Sequence, residues 1–378
     1  MSAELIEGFD RLPALRKDWE ELFLARANEP STSLEWTSAM VRHHVRPADR
    51  CFLVCLRRGD ALEAIVPLVA RAEAVLGRRV TLLTPLSEQY NTHSDLLLRA
   101  DAVDTVRAFV SALFRLDVSW DCFRMARLLD GGPLATMLEH CLAEAGHLHH
   151  VRDGLPAYNL QLPGSFDAYL AQRSAKFRNY LKRIERKLHA AGAVRVLELT
   201  DPQAFESAYE ALLQVERSSW KHAHGTAISA IARQTAFYRD FCREALASGR
   251  LHLQWLTLES RPVAYNLGYL RKDSYHYLKT SYDSALGPFG PATYLRARLI
   301  ASLIGRGVAR FDFPGEPYEW ETQWTDSIRW RKVIALYRPT VRGRFLALVE
   351  RLRHRSRGRR TVRHVDPRAA TAPPSANQ

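Results

Sequence analysis

The run 275–315, Y-H-Y-L-K-T-S-Y-D-S-A-L-G-P-F-G-P-A-T-Y-L-R-A-R-L-I-A-S-L-I-G-R-G-V-A-R-F-D-F-P-G, constrains the fold more than any other stretch. Tyr275, Tyr277, Lys279 and Ser281 alternate with His276, Leu278, Thr280 and Tyr282, the period of two that marks a strand. Gly287, Pro288, Gly290 and Pro291 then break the chain. Leu295, Leu299, Leu303 and Ile304 return at helical spacing, and Gly305 and Gly307 end that helix before a short apolar strand around Phe311 and Phe313. A glycine turn between a strand and a helix start leaves backbone N–H groups free at the positive end of the helix dipole. Such a place suits an anion, above all a pyrophosphate. On a plainer reading it is an ordinary strand-to-helix turn with proline at the first helical position.

A chain of 378 residues can bury a large core and is expected to divide into two domains; with 47% hydrophobic and 25% charged residues its composition is globular. No window approaches 18 consecutive apolar residues, and M-S-A-E-L-I-E has neither a basic nor an apolar leader region, so a cytoplasmic protein is expected. Cys51, Cys55, Cys122, Cys141 and Cys242 are scattered, without a C-x-x-C pair, and read as reduced core thiols. No H-E-x-x-H pair occurs among the 14 histidines, and no metal is expected. The net charge of +13 is concentrated at one end: residues 342–364 hold nine arginines and one glutamate, a net of +8, leaving +5 for the rest. This segment reads as a short amphipathic helix fraying into a disordered arm, a solubilising tail or a contact for RNA or an anionic membrane surface. A second basic run, 173–187, carries an apolar stripe (Phe177, Leu181, Ile184, Leu188), which makes its charges the outer face of an amphipathic helix.

Read in order, the first half gives a strand, two helices, three strands (51–56, 64–70, 80–84), a helix, a strand (122–128), a helix and a last strand (147–152). The second half repeats the scheme: a strand at 194–199, helices at 202–220 and 230–247, a three-strand meander, the helix after the glycine turn, the strand at 311–313, a short helix at 317–324 and the strand V-I-A-L-Y. The expectation is an α/β chain with mixed sheets in two tandem domains, 1–154 and 155–340, followed by a basic tail, 341–378, with 155–164 as the crossing segment. Between Val80 and Val103 the first half has no glycine to bring backbone close to a phosphate, so the second half is expected to carry the working site.

Three patches in one order carry a family resemblance. They are E-R-S-S-W-K-H-A-H-G-T-A-I (216–228), K-T-S-Y-D (279–283) leading into the glycine turn, and F-D-F-P-G-E-P-Y-E-W-E-T-Q-W (311–324). The chain resembles the GNAT acyltransferase superfamily, and within it the CelD-like and FemAB-like branch. Gly290-Pro291-Ala292 fits the G-x-A end of the superfamily's Q/R-x-x-G-x-G/A loop, while Gly287 stands where Gln or Arg is usual and Glu319 or Glu321 where the CelD-like block commonly has lysine. The resemblance implies two tandem GNAT-like domains and direct transfer of an acyl group from acetyl-CoA, or another acyl-CoA, to an amine. The acceptor it suggests is an amino sugar or a polysaccharide precursor. A FemAB-like transferase using aminoacyl-tRNA is one alternative, and a non-catalytic scaffold on a GNAT frame is another.

Direct transfer requires a phosphate cradle, an oxyanion donor and a base for the amine proton. Gly287, Gly290, Ala292 and Thr293 are the candidates for the cradle. Asp283, Asp312 and Glu316 are candidates for the base, and Tyr318 or Tyr282 for returning a proton to the leaving thiolate. Trp220 and Trp324 are candidate walls of the acceptor pocket, and Lys221 and Lys279 candidate anchors for an anionic acceptor.

Overall fold

The computed structural model describes residues 1–26, 29–86, 93–314 and 318–358. The first half runs β1 (Ser2–Glu7), α1 (Arg16–Ala25), α2 (Leu34–His44), β2 (Arg50–Arg58), β3 (Ala61–Val75), β4 (Arg78–Pro85), β5 (Leu97–Leu98), α3 (Val103–Leu113), β6 (Cys122–Leu129), α4 (Pro133–Glu144) and β7 (His149–Asp153). The second runs β8 (Ala157–Gln161), α5 (Phe166–Ala171), α6 (Ala175–Ala191), β9 (Val194–Glu198), α7 (Phe205–Arg217), α8 (Trp220–Ala223), α9 (Ala232–Ala247), β10 (Leu251–Leu258), β11 (Arg261–Arg271) and β12 (Ser274–Tyr282). It continues with α10 (Pro291–Gly305), β13 (Arg310–Asp312), β14 (Ile328–Arg329), β15 (Arg331–Tyr337) and α11 (Val341–Gly358). Serine caps start several of the helices as their sequences dictate: Ser33 Oγ accepts from Trp36 N at 3.2 Å, and Ser174 Oγ from Phe177 N at 3.2 Å.

The strands form two sheets of matching layout, β1-β2-β3-β4-β6-β15-β7 with β5 paired to β3, and β9-β10-β11-β12-β13-β8-β14. This is the tandem α/β architecture with mixed sheets expected from the element order, with one correction. V-I-A-L-Y, placed at the end of the second domain, is β15 and lies in the first sheet between β6 and β7. The crossing segment 155–164 supplies β8, which lies between β13 and β14 of the second sheet. Each sheet therefore receives its sixth strand from a segment that has just left the other. A contiguous cut at 154 and 340 does not follow the sheets, because side-chain alternation shows which face of a strand is buried but not which sheet it joins.

The crossing is locked at Arg331, which is only 1% exposed. Its guanidinium donates from Nε to Leu155 O at 2.6 Å and from an Nη to Pro156 O at 2.7 Å, and Gly154 N donates to Arg331 O at 2.7 Å.

A continuous apolar layer joins the halves. Trp19, Leu22, Phe23, Trp36 and Met40 of α1 and α2 pack with Tyr209, Leu212, Phe237 and Phe241 of α7 and α9. Trp36 meets Phe237 and Phe241 edge-on, at 5.2 and 5.0 Å between ring centres. The start of the basic tail is likewise part of the fold rather than a separate arm: Leu346 and Ala347 of α11 pack on Val80, Cys122, Ala335 and Tyr337 of the first sheet. All five cysteines are buried and unpaired. No described helix is long and apolar enough to cross a membrane.

Candidate functional site

The second sheet opens at β12. This strand runs parallel to β13 only through Ser274↔Arg310, Tyr275↔Phe311 and His276↔Asp312. Its pairing with β11 then slips, Gly268 facing Tyr277 and Leu267 facing Lys279, so Leu278 is bulged out. Gly268 is required beside the bulge, because a Cβ there would lie 2.1 Å from the Tyr275 hydroxyl. Past His276 the outer edge of β12, residues 277–282, is left without a strand partner among the described residues.

Two lysines gather at that edge. Lys221 reaches from α8 and donates Nζ–H to Thr280 O at 2.6 Å. Lys279 lies on β12 itself, its Nζ 5.6 Å from the centre of the Tyr238 ring. Burial pulls the Lys221 ammonium down to about 8; Lys279 and Arg296 push the same way and Glu216 opposes them. The phenol of Tyr238 outweighs burial at Lys279 and raises its ammonium above the ordinary value, with Glu216 and Tyr318 acting in the same sense. The loop carrying Lys221 is pinned by Glu216, 1% exposed, whose carboxylate accepts from Ile228 N at 2.7 Å and Tyr265 Oη at 2.6 Å. The 216–228 patch thus holds one ammonium against the open strand edge. Trp220 beside it is exposed and can wall an acceptor, whereas Trp324 is core, packed on Phe177.

The glycine turn folds differently from the cradle expected. Residues Ser284–Phe289 form a 3-10 turn, Gly290 takes φ 65°, and its amide donates to Gly287 O at 3.0 Å. A Cβ on Gly290 would lie 3.0 Å from Ile184 Cγ2 and 3.2 Å from Tyr180 Oη, so α6 covers this glycine. Gly290 therefore offers no bare backbone, and Gly287 contributes its carbonyl to the turn rather than a free cradle of amides. What remains for an anion is the start of α10: the amides of Ala292 and Thr293, both half-buried, lie in the first turn, where helical N–H groups have no intrahelical acceptor. Tyr282 stands by the turn, its ring 3.8 Å from where a Gly287 Cβ would be.

The acids expected as bases are committed elsewhere. Asp283 caps the 3-10 turn, accepting from Ala285 N at 3.0 Å, and pairs with Arg261 at 2.5 Å. Asp312 is fully buried between Arg310 Nε, at 2.9 Å, and Arg329 Nη1, at 3.2 Å. The two do not face one cleft: Asp283 is seven residues past His276, the partner of Asp312, or roughly 20 Å at 3.3 Å per residue. Glu316 lies outside the described residues. Tyr318 is half exposed, stacks on Trp320 and lies near enough to Lys279 to act on its ammonium.

Two further charged groups went unrecognised in the sequence. Arg296 of α10, 4% exposed, lies 3.8 Å over the Trp320 ring with Trp324 and Tyr277 at 5.3 and 5.6 Å. Its signal was an arginine on the apolar stripe of L-R-A-R-L. Glu321 is fully buried; Tyr318 N donates to its Oε2 at 3.1 Å, while Oε1 has no hydrogen-bond partner among the described residues. Burial pushes its carboxyl up to about 8, which leaves it protonated at neutral pH.

A second polar cluster lies between the halves, where Glu29, His93, His276 and Asp312 meet. His276 Nδ1 is 3.6 Å from Glu29 Oε2 and 3.7 Å from Asp312 Oδ2. Burial, with Asp312 and Asp95 nearby, raises the Glu29 carboxyl far above its usual range, and burial lowers His93 to about 3 and His276 to about 4. A raised carboxyl stabilises the fold most below its unfolded value and loses that contribution as pH rises through the folded value. Glu29→Gln is therefore expected to raise the melting temperature at pH 8.5, with the gap to the parent closing toward pH 4; paired thermal melts at the two pH values check this. Among the described residues no group of His, Cys, Asp and Glu is arranged to hold a metal ion.

Residues 175–322 match the family model described as the acetyltransferase (GNAT) domain. This places an acyltransferase-class domain over α6 through the 319–323 turn, the part of the chain that holds the open edge of β12. Among solved structures the chain is similar to FemX, with a TM-score of 0.57 and 9% identity over 88% of this chain and 97% of that one. It is also similar to a conserved protein of unknown function from Bacteroides thetaiotaomicron VPI-5482, with a TM-score of 0.56 and 11% identity over 89% of this chain and 100% of that one. A third is the C-terminal domain of a protein described as a putative lysylphosphatidylglycerol synthetase from Agrobacterium fabrum, with a TM-score of 0.55 and 12% identity over 90% and 96% of the two chains. At these identities the likeness is one of fold. No curated protein sequence matches the chain significantly.

Proposed function

We propose that the chain is a GNAT-type N-acyltransferase of the cytoplasm. It moves an acyl group, acetyl in the first instance, from a coenzyme A thioester to the amine of an anionic acceptor at the open edge of β12. The neutral acceptor amine attacks the thioester carbonyl, the C–N bond forms, the C–S bond breaks, and the proton that the amine nitrogen gives up replaces the one that Tyr318 hands to the departing thiolate. The first-turn amides of α10 at Ala292 and Thr293 hold the donor's pyrophosphate. Lys221 and Lys279 hold the acceptor's anionic group, Trp220 walls it, and Tyr318 supplies the proton to the thiolate. Paired cations suit an amino sugar carried on a nucleotide, or another phosphorylated or acidic amine of polysaccharide assembly. The observation that carries the reading is the loss of β13 pairing beyond His276, with both lysines gathered along the strand edge it exposes.

One observation favours a second reading. Gly290 is covered by α6, whose Lys176 and Arg183, with Arg173 just ahead of the helix, line a groove of about 850 Å³, and the fold is similar to FemX. An aminoacyl ester carried on RNA would use that groove in place of the helix start. Incubating the protein with a panel of amino sugars and nucleotide-linked amino sugars, and with either labelled acetyl-CoA or labelled aminoacyl-tRNA, decides between them. Label moved from acetyl-CoA supports the first reading and label moved only from RNA the second. Label moved from neither donor removes both.

A further inference from the structure

We infer that the cavity between the two halves is a binding site for a small oxyanion, a carboxylate or a phosphate, separate from the acyl-transfer site. The cavity measures about 210 Å³ and is walled from both sides: Arg26, Glu29, His93 and the first turn of α4 from the first half, Arg310 and Arg329 from the second. It would take about seven waters at 30 Å³ each, or one small anion with part of its shell. That is below the usual range for a nucleotide-sized ligand.

Three observations identify the occupant's chemistry. First, α4 is 12 residues long, begins at Gly132-Pro133 with no side-chain cap, and presents that end to the cavity. The amides of Leu134 and Ala135 thus face the space with the positive end of the helix dipole behind them. Second, the charges in the walls already answer one another. Arg26 pairs with Asp95 and Asp101, and Arg310 and Arg329 both pair with Asp312. The aspartates are therefore neutralised, and each of Arg310 and Arg329 spends one N–H group on Asp312. Third, Glu29 Oε2 and His93 Nδ1 are buried without a hydrogen-bond partner among the described residues, Glu29 being 8% and His93 2% exposed. Buried polar atoms left without partners are costly unless something fills the space between them.

Around neutral pH Glu29 holds its proton and both histidines are uncharged, so the walls carry no net excess of negative charge to repel an anion. A protonated carboxyl, two arginines and a bare helix start form a surface rich in donors, and the group that satisfies it is an acceptor with several oxygens. Because the walls come from both halves, occupancy ties them together.

Thermal melts at pH 7 in 10 mM sodium phosphate, in 10 mM sodium acetate and in sodium chloride of equal ionic strength test the site. Phosphate or acetate is expected to raise the midpoint by about 2–4 °C over chloride. A shift with phosphate alone assigns a phosphate ligand, and one with acetate alone a carboxylate. The shift should shrink in Arg310→Gln and in Arg329→Gln, each of which removes one cation from the wall. It should persist in Thr293→Glu, which blocks only the start of α10. No shift in the parent protein, or an undiminished shift in both cavity variants, overturns the assignment.

Discussion

Arg331→Met should cost the fold about 3–5 kcal/mol, from two charge-assisted hydrogen bonds worth about 1.5–3 kcal/mol each. The midpoint of thermal unfolding, followed by circular dichroism, should fall by roughly 5–10 °C. Methionine keeps most of the volume of the buried side chain, so the loss reads the polar contacts rather than a cavity. The carbonyls of Leu155 and Pro156 that Arg331 caps lie where the chain passes from the first sheet to the second, and Arg331 itself begins β15, which has just returned from the second. Both passages hang on one side chain. If the strand exchange is what unites the two sheets, the variant should also broaden the transition or split it in two. A midpoint within about 2 °C of the parent would mean that the apolar layer of α1, α2, α7 and α9 holds the halves together unaided.

The second large effect is on activity. Lys221→Met is expected to reduce kcat/KM for transfer to an anionic amine by roughly 100-fold or more, about 3 kcal/mol, with little change in melting temperature. Lys221 spends one of its three donors on Thr280 O and keeps two for a ligand, in a setting dry enough to lower its ammonium to about 8. The sign of the pH dependence follows. The cation is the working form and is present below about 8, so kcat/KM should fall as pH rises through that value. Lys221→Arg, charged throughout the range, should lose less activity than Lys221→Met and should lack the alkaline fall. An alkaline limb unchanged in Lys221→Arg would take the anchoring role from this residue. Neutral acceptors, by contrast, should respond weakly to either substitution.

These effects show where sequence reasoning reached and where it stopped. Local chemistry was plain to read: the alternation in 275–282 became β12, and the Phe177-Leu181-Ile184-Leu188 stripe became the inner face of α6. The repeat of element order in the two halves pointed to the tandem architecture. Lys221 and Lys279 were named from separate patches and do converge. Beyond that, the outcome depended on partners far away in the chain. Asp283, which caps the turn after it, is also paired with Arg261, and Asp312 was claimed by Arg310 and Arg329. Gly290 lost its bareness to Ile184 and Tyr180, on a helix far upstream in the chain. Glu321 was noted only as one of two acids where a lysine is common, and its burial in a protonated form follows from the packing of that turn, where Arg296 lies over Trp320 and Trp324. The exchange of β8 and β15 between sheets has no local signature, since either strand satisfies the same alternation in either sheet.

The proposed acyl transfer at the open edge of β12 requires α10 to receive the donor's pyrophosphate at its first turn. Titration calorimetry with acetyl-CoA, on the parent protein and on Thr293→Glu, tests that most directly. A glutamate in the first turn favours the helix and should leave the melting temperature unchanged or slightly higher, yet it sets a negative charge where the phosphates would sit. The parent should bind with a dissociation constant in the micromolar range and the variant at least roughly 30-fold more weakly, about 2 kcal/mol. Equal affinity in the two proteins, or no heat from either, would contradict the assignment of the donor to this helix.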